Sequence, residues 1–151
     1  MKKPNISDIK KIREITGISV EAVREALENA GGKIESALEI LKKRGITIAA
    51  KKLERATGEG LIFSYIHSNG KIGVLLKLLC ETDFVARNEQ FKKLGHELVL
   101  HIAAMNPENT EELLTQPYVR DQNITVDALV KNYIAKLGEN IRISEFCHFS
   151  L

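Results

Sequence analysis

The 151-residue sequence has no tryptophan, two cysteines and three prolines, and its first 60 residues hold no aromatic side chain. Each shortage excludes something. Cys80 and Cys147 are too few for a disulfide framework and form no CxxC pair, so neither a stapled secreted scaffold nor a thiolate zinc site is expected. No apolar run approaches the roughly 20 residues of a membrane-spanning helix. The stretch Met1–Lys11 is polar, with no apolar segment behind it, and so reads as neither a secretory signal nor a transit peptide; a cytoplasmic chain with no membrane partner is expected. Disorder is excluded by what is present: 44% hydrophobic and 28% charged residues, ordinary for a globular protein.

Charge is scarce overall, at a net +2, and unevenly spread. Residues 1–60 carry 13 Lys/Arg against 9 Asp/Glu, and residues 61–151 carry 9 against 11. The basic part either steers an acidic partner or is a solvated surface. Without interleaved aromatics it lacks the usual face of a nucleic-acid binder, and no direct nucleic-acid contact is expected.

Catalytic signatures fail in turn. His96-Glu97 begins like a zinc-protease motif, but Leu100 occupies the place of the second histidine. His101 lies about 140° further round a helix, so it and His96 cannot share a metal. Gly31-Gly32-Lys33 resembles the end of a phosphate loop, yet Leu27 and Ile34 stand where Gly and Ser/Thr are required. Gly58-Glu59-Gly60 reaches Phe63 instead of a third glycine. Cys80, at the end of an apolar strand, reads as a buried thiol. Cys147 reads as core, or as part of a face shared with a second copy of the chain. The alternative, a small enzyme using either thiol, requires a reactive thiolate at neutral pH. No cofactor, resident metal or covalent chemistry is expected.

The periodicity predicts an α+β chain in three parts: a three-helix head over 1–45, a link over 46–59 and an α+β body over 60–151. In the head, Ile6, Ile9 and Ile12 share a helical face that Ser7 or Asp8 caps and Thr16-Gly17 ends. Val20, Val23, Leu27 and Ala30 form a second stripe, broken by Gly31-Gly32. Ile34, Ala37, Leu38 and Leu41 form a third, with Lys42-Lys43-Arg44 in its last turn and Gly45 as its stop. Such a small core suits a docking module better than a catalytic one. Residues 49–56 read as either helix or hinge. In the body, Ser68-Asn69-Gly70 predicts a hairpin turn. The run Ile72–Cys80 predicts a strand buried on both faces, and Phe91, Leu94, Leu98 and Ile102 predict a helix over 88–105. Asn106-Pro107 stops that helix. Residues 107–124 are loop-like, with a possible turn of helix at 110–115. A helix over 125–137, ended by Gly138, presents Val126, Leu129, Val130 and Tyr133 inward. A last strand over 141–151 carries Ile141, Ile143, Cys147, Phe149 and Leu151 on one face. His67 and His148 read as surface residues.

One segment stands apart. Glu81-Thr82-Asp83-Phe84-Val85-Ala86-Arg87-Asn88 joins the second strand to the long helix. Phe84 beside Asp83 reads as a protruding aromatic anchor for a partner's pocket. It reads equally as a helix start, with Thr82 or Asp83 capping and Phe84 stapled to the core.

Thr82-Asp83-Phe84-Val85-Ala86-Arg87-Asn88 resembles the signature segment of the elongation factor Ts family. Ile12-Arg13-Glu14-Ile15-Thr16-Gly17 and Lys42-Lys43-Arg44-Gly45 resemble the start and end of that family's ubiquitin-associated-like head. Tyr65-Ile66-His67 with Lys71-Ile72-Gly73-Val74-Leu75 resembles its first hairpin. His101-Ile102-Ala103-Ala104-Met105-Asn106-Pro107 and Lys136-Leu137-Gly138-Glu139-Asn140-Ile141 resemble two later segments. The resemblance spans nearly the whole chain, in order. It departs in one place: many members carry a long helical stretch between the equivalents of Asn106-Pro107 and Gln116-Pro117, where this chain has the nine residues 108–116.

The resemblance implies a guanine nucleotide exchange factor for elongation factor Tu, engaging its GDP-bound and nucleotide-free forms. Thr82, Asp83, Phe84 and Val85 would dislodge the Mg²⁺ held by that partner. Arg13, Thr16, Gly17, Arg87, Asn88 and His101 are further implied contacts. Short members resemble dimers, which makes the 141–151 strand a candidate homodimer face. The competing expectation is a ubiquitin-associated-type adaptor at the ribosome, without exchange activity.

Overall fold

The first helix, α1 (Ile6–Thr16), starts at Asn5, whose side chain accepts from the Ser7 amide at 3.2 Å, so the cap lies before the expected Ser7 or Asp8. Gly17, in the left-handed region at φ 66°, ends it. Ser19 caps α2 (Val20–Asn29), and Gly31 and Gly32, both at positive φ, turn the chain into α3 (Ile34–Lys52). Ile12, Val23, Ala26, Leu27, Ala37 and Leu41 form the core of this first compact unit, which extends to Ile48. Ile6 and Val20, expected to face inward, are exposed.

Gly45 does not stop α3. A glycine inside a helix costs only about 1 kcal/mol against alanine. The helix continues into the first half of the expected link, to Lys52, with Thr47 donating its hydroxyl to the Lys43 carbonyl at 3.1 Å and Ala49 fully buried. The computed structural model describes residues 4–151; Met1–Lys3, the beginning of the polar amino terminus, lie outside the described residues.

The second unit runs from Ala49 to Leu151. Strands β1 (Glu59–Ile66), β2 (Ile72–Cys80) and β5 (Ile141–Ser150) form an antiparallel sheet in the order β1-β2-β5. The Asn-Gly turn forms as expected: Gly70 sits at φ 69° and the Asn69 side chain accepts from the Lys71 amide at 2.9 Å. β2 is not buried on both faces. Val74, Leu76, Leu78 and Cys80 point into the core, whereas Leu75 is exposed.

Over the inner face lies α5 (Glu89–Met105), with Phe91, Leu94, Leu98 and Ile102 wholly buried. Gly95 lets α5 approach the sheet: a Cβ there would fall 2.2 Å from the Phe63 ring. Helix α7 (Val126–Leu137), capped by Thr125 and ended by Gly138 at φ 78°, adds Val126, Leu129, Val130, Tyr133 and Ile134 to the same core. The segment expected to be loop contains α6 (Thr110–Thr115) and a two-stranded ribbon, β3 (Pro117–Tyr118) with β4 (Asp121–Thr125).

The alternation expected for the last strand fails at one point. The register slips between Lys77 and Leu78, so Leu78 pairs with Ile143 while Lys77 pairs with Glu145. The extra residue, Ser144, reverses the faces beyond it, because side chains alternate with a period of two. Ile141 and Ile143 lie in the core, and Phe146 packs against it. Cys147 and Phe149, paired with Leu75 and Gly73, share the opposite face with Ile62, Ile66 and Leu75. His148 pairs with Val74 on the core side, where its Nε2 is buried, and is not the surface residue expected. His67 is exposed, with Nδ1 2.9 Å from the Tyr65 hydroxyl. Among the described residues no helix is long and apolar enough to cross a membrane.

Candidate functional site: the turn after the central strand

β2 delivers the chain to Glu81, and helix α4 (Asp83–Ala86) follows. Thr82 is its cap: the backbone is extended and the side-chain oxygen accepts from the Val85 amide at 3.4 Å. Val85 and Ala86 are buried, which directs the preceding side chains outward. Phe84 is 88% exposed. Thr82 therefore caps as one expectation had it, but Phe84 is not stapled to the core. An aromatic side chain so exposed leaves nearly all of its apolar surface in water.

Asp83 is exposed and meets Arg87 at 2.7 Å, one helical turn on. Solvent screening keeps such a pair weak, near 0–1 kcal/mol. Asn88 caps α5 by accepting from the Gln90 amide at 2.8 Å, so its side chain is already engaged. The turn thus exposes Phe84 and the Asp83–Arg87 pair at the surface, with Val85 as its root.

Behind the turn, Cys80 is buried, and its thiol donates to the Thr82 carbonyl at 3.2 Å. Burial, with the Glu139 carboxylate as a second cause, pushes the thiol up to about 11. At neutral pH it stays protonated and is no nucleophile.

His101 lies elsewhere. Its ring is fully buried beside Tyr118, with Nε2 2.9 Å from Gln116 Oε1 and Nδ1 accepting from the Val119 amide at 3.2 Å. Because Nδ1 accepts, the proton sits on Nε2 and is donated to Gln116. The expectation of a contact residue is corrected on this point: the ring joins α5 to the β3–β4 ribbon and offers no surface. Burial lowers its pKa from the ordinary 6.5. The folded state therefore binds a proton less readily than the unfolded chain. Stability is full above about pH 6.5 and is lost as pH falls through the folded value. All three tyrosines lie in this unit, so tyrosine fluorescence follows it alone. The urea midpoint is expected to fall between pH 7.5 and 5.5, and to fall less in His101→Gln, which can still donate and accept. Equal slopes would exonerate the histidine.

Arg13, Thr16 and Gly17 belong to the first unit. Thr16 donates to the Ile12 carbonyl at 2.7 Å and accepts from the Ile18 amide at 3.3 Å, fixing the turn at Gly17. Arg13 is exposed, and so are Ile15 at 67% and Val20 at 48%. Ile15 and Val20 stand on either side of the helix-ending Gly17 as exposed apolar residues.

The profile of the family described as Elongation factor TS matches residues 81–151, beginning at this turn. The chain is 39% identical to an Elongation factor Ts from Fervidobacterium nodosum, with 95% of each chain covered. It is 38% identical to one from Thermosipho melanesiensis, covering 95% of this chain and 96% of that one. It is 43% identical to one from Aquifex aeolicus, covering 96% of this chain and 52% of the other. The Fervidobacterium alignment runs over 188 positions, more than the 151 residues here, so that relative holds residues this chain lacks.

Proposed function

Because this chain belongs to the elongation factor Ts family, we propose that it binds elongation factor Tu and promotes release of its Mg²⁺ and GDP so that GTP can enter. The observation that carries this is the 88% exposure of Phe84 on a capped, anchored turn. The three-helix head expected over 1–45, ubiquitin-associated-like by resemblance, docks on the partner's nucleotide-binding domain through Arg13, Gly17 and the exposed Ile15 and Val20. Phe84 enters between helices near the partner's Mg²⁺. Asp83, released from Arg87, rearranges hydrogen bonds and charge around the metal.

Linkage sets the terms. Factor and nucleotide weaken each other by one coupling free energy, so the factor binds empty elongation factor Tu more tightly than the GDP form. Losing Mg²⁺ removes the largest positive charge beside the diphosphate. No covalent bond changes, so the chain catalyses exchange without being an enzyme in the chemical sense. The test is release of a fluorescent GDP from purified elongation factor Tu. Acceleration by catalytic amounts of the chain is expected; none at any concentration would return the chain to the adaptor reading.

A second copy covers the open sheet face. Ile62, Ile66, Leu75 and Phe149 expose a contiguous apolar surface there. Lys77 and Glu145 lie on it 3.5 Å apart. In a two-fold contact each Lys77 can meet the other copy's Glu145, so the patch is complementary to itself. Sedimentation should find a dimer that Leu75→Glu converts to monomer. A wild-type monomer at micromolar concentration would remove the second copy, and with it oxidative cross-linking through Cys147.

A further inference from the structure

The exposed turn is held from behind by a residue 57 positions away. Glu139 Oε2 accepts from the amides of Glu81 and Thr82 at 3.1 and 3.0 Å, and Oε1 accepts from the Thr82 hydroxyl at 2.6 Å. The last bond decides the Thr82 rotamer. With its proton given to Glu139, the hydroxyl has lone pairs left for the Val85 amide, which is the bond that caps α4.

Glu139 is itself held. It follows Gly138, the left-handed residue that ends α7, whose carbonyl accepts from the Lys52 ammonium. It precedes Asn140, whose side-chain amide donates to the carbonyls of Leu53 and Arg55 at 3.2 and 2.9 Å. The Asn140 backbone amide donates to Glu81 Oε1 at 2.7 Å, so the segment after β2 and the segment before β5 exchange carboxylate–amide bonds in both directions. Charge-assisted bonds of this kind are stronger than neutral ones. Phe84 and Asp83 are exposed; Val85 and Ala86 root the turn in the core on one side of them, and Thr82 fixes its start on the other.

We infer that Glu139 is the positioning residue of the exchange site: it orders the Thr82–Phe84 turn in the free chain, so that the aromatic side chain reaches the partner already aimed. The inference rests on the exchange reading for its functional consequence. Once the head has docked, an ordered turn loses less entropy at the later step in which Phe84 enters the partner, and an interaction made only at that step shows in the maximal rate instead of the half-saturating concentration. A purely structural carboxylate would instead lower stability and leave the aim of the turn unchanged.

The experiment compares wild type with Glu139→Ala and Glu139→Gln in two measurements. The first is amide hydrogen exchange of the free chain at Thr82 and Val85, with α5 amides as the internal control. The second is GDP release from elongation factor Tu over a series of chain concentrations up to saturation, which separates maximal rate from half-saturating concentration. Glu139→Ala should lose protection at Thr82 and Val85 but keep it in α5. Its maximal rate should fall roughly ten-fold, with the half-saturating concentration moving far less. Glu139→Gln keeps one acceptor oxygen and should fall between. Unchanged protection at Thr82 and Val85 would overturn the inference, as would lost protection with a wild-type maximal rate. A wild-type chain that fails to accelerate release sinks the exchange reading itself, an outcome distinct from either.

Discussion

Phe84→Ala is expected to reduce stimulated GDP release by about thirty-fold while leaving the melting temperature where it was. The two halves of this result have separate causes. The side chain is 88% exposed, so its removal takes no apolar area out of the folded core. Substitutions at such positions usually change stability by no more than about 0.5 kcal/mol. In the complex the same ring would fill a pocket, and a buried aromatic anchor is worth about 2 kcal/mol or more, close to a thirty-fold effect. Asp83→Ala is expected to act in the same direction and more weakly, since it leaves the wedge in place and removes only the carboxylate proposed to act beside the metal; within the free chain it breaks just an exposed pair with Arg87. Acceleration retained in full by Phe84→Ala would move the site to the head.

Phe91→Ala is expected to do the reverse. Phe91 is fully buried on α5, its ring centroid 6.1 Å from that of Phe63 on β1. Truncating a buried phenylalanine costs about 3–5 kcal/mol, from lost transfer energy and the cavity left behind. For a unit of this size that lowers the melting temperature by roughly 15 °C or more. Tyrosine fluorescence would follow the loss in the second unit. The first unit has its own core of Ile12, Val23, Ala26, Leu27, Ala37 and Leu41, so its helical signal should outlast the transition. A shift under about 5 °C would mean that the second core is not organised around this helix.

The elements that could be read from the sequence are those written in short stretches. Asn69-Gly70 determines its turn within two residues. The α5 stripe of Phe91, Leu94, Leu98 and Ile102 repeats at helical spacing and is buried without exception. Gly138 ends α7 by accepting a positive φ. Thr82 was legible as a cap for the same local reason, whereas the fate of Phe84 was not, because exposure depends on what the rest of the chain brings near. The single inserted residue at Ser144 has no signature of its own and reverses every face after it. Gly45 has the local signature of a stop, but the continuing turns outweigh its modest cost. The ribbon β3–β4 is polar and short, and takes its order partly from His101, whose side chain accepts from the Val119 amide. Nothing near Glu139 in sequence says that its carboxylate reaches back to Thr82.

Gly95 and Phe63 make a lock and its notch. The ring occupies the space a side chain at 95 would need, with three ring atoms within 2.2–2.4 Å of where a Cβ would stand. The two positions therefore cannot vary independently. As related chains drift apart, a methyl gained at the helix position must be matched by a smaller residue on the strand, and a chain caught between the two changes carries a misfit in its own core. The pair would be inherited as one character, written in two places 32 residues apart.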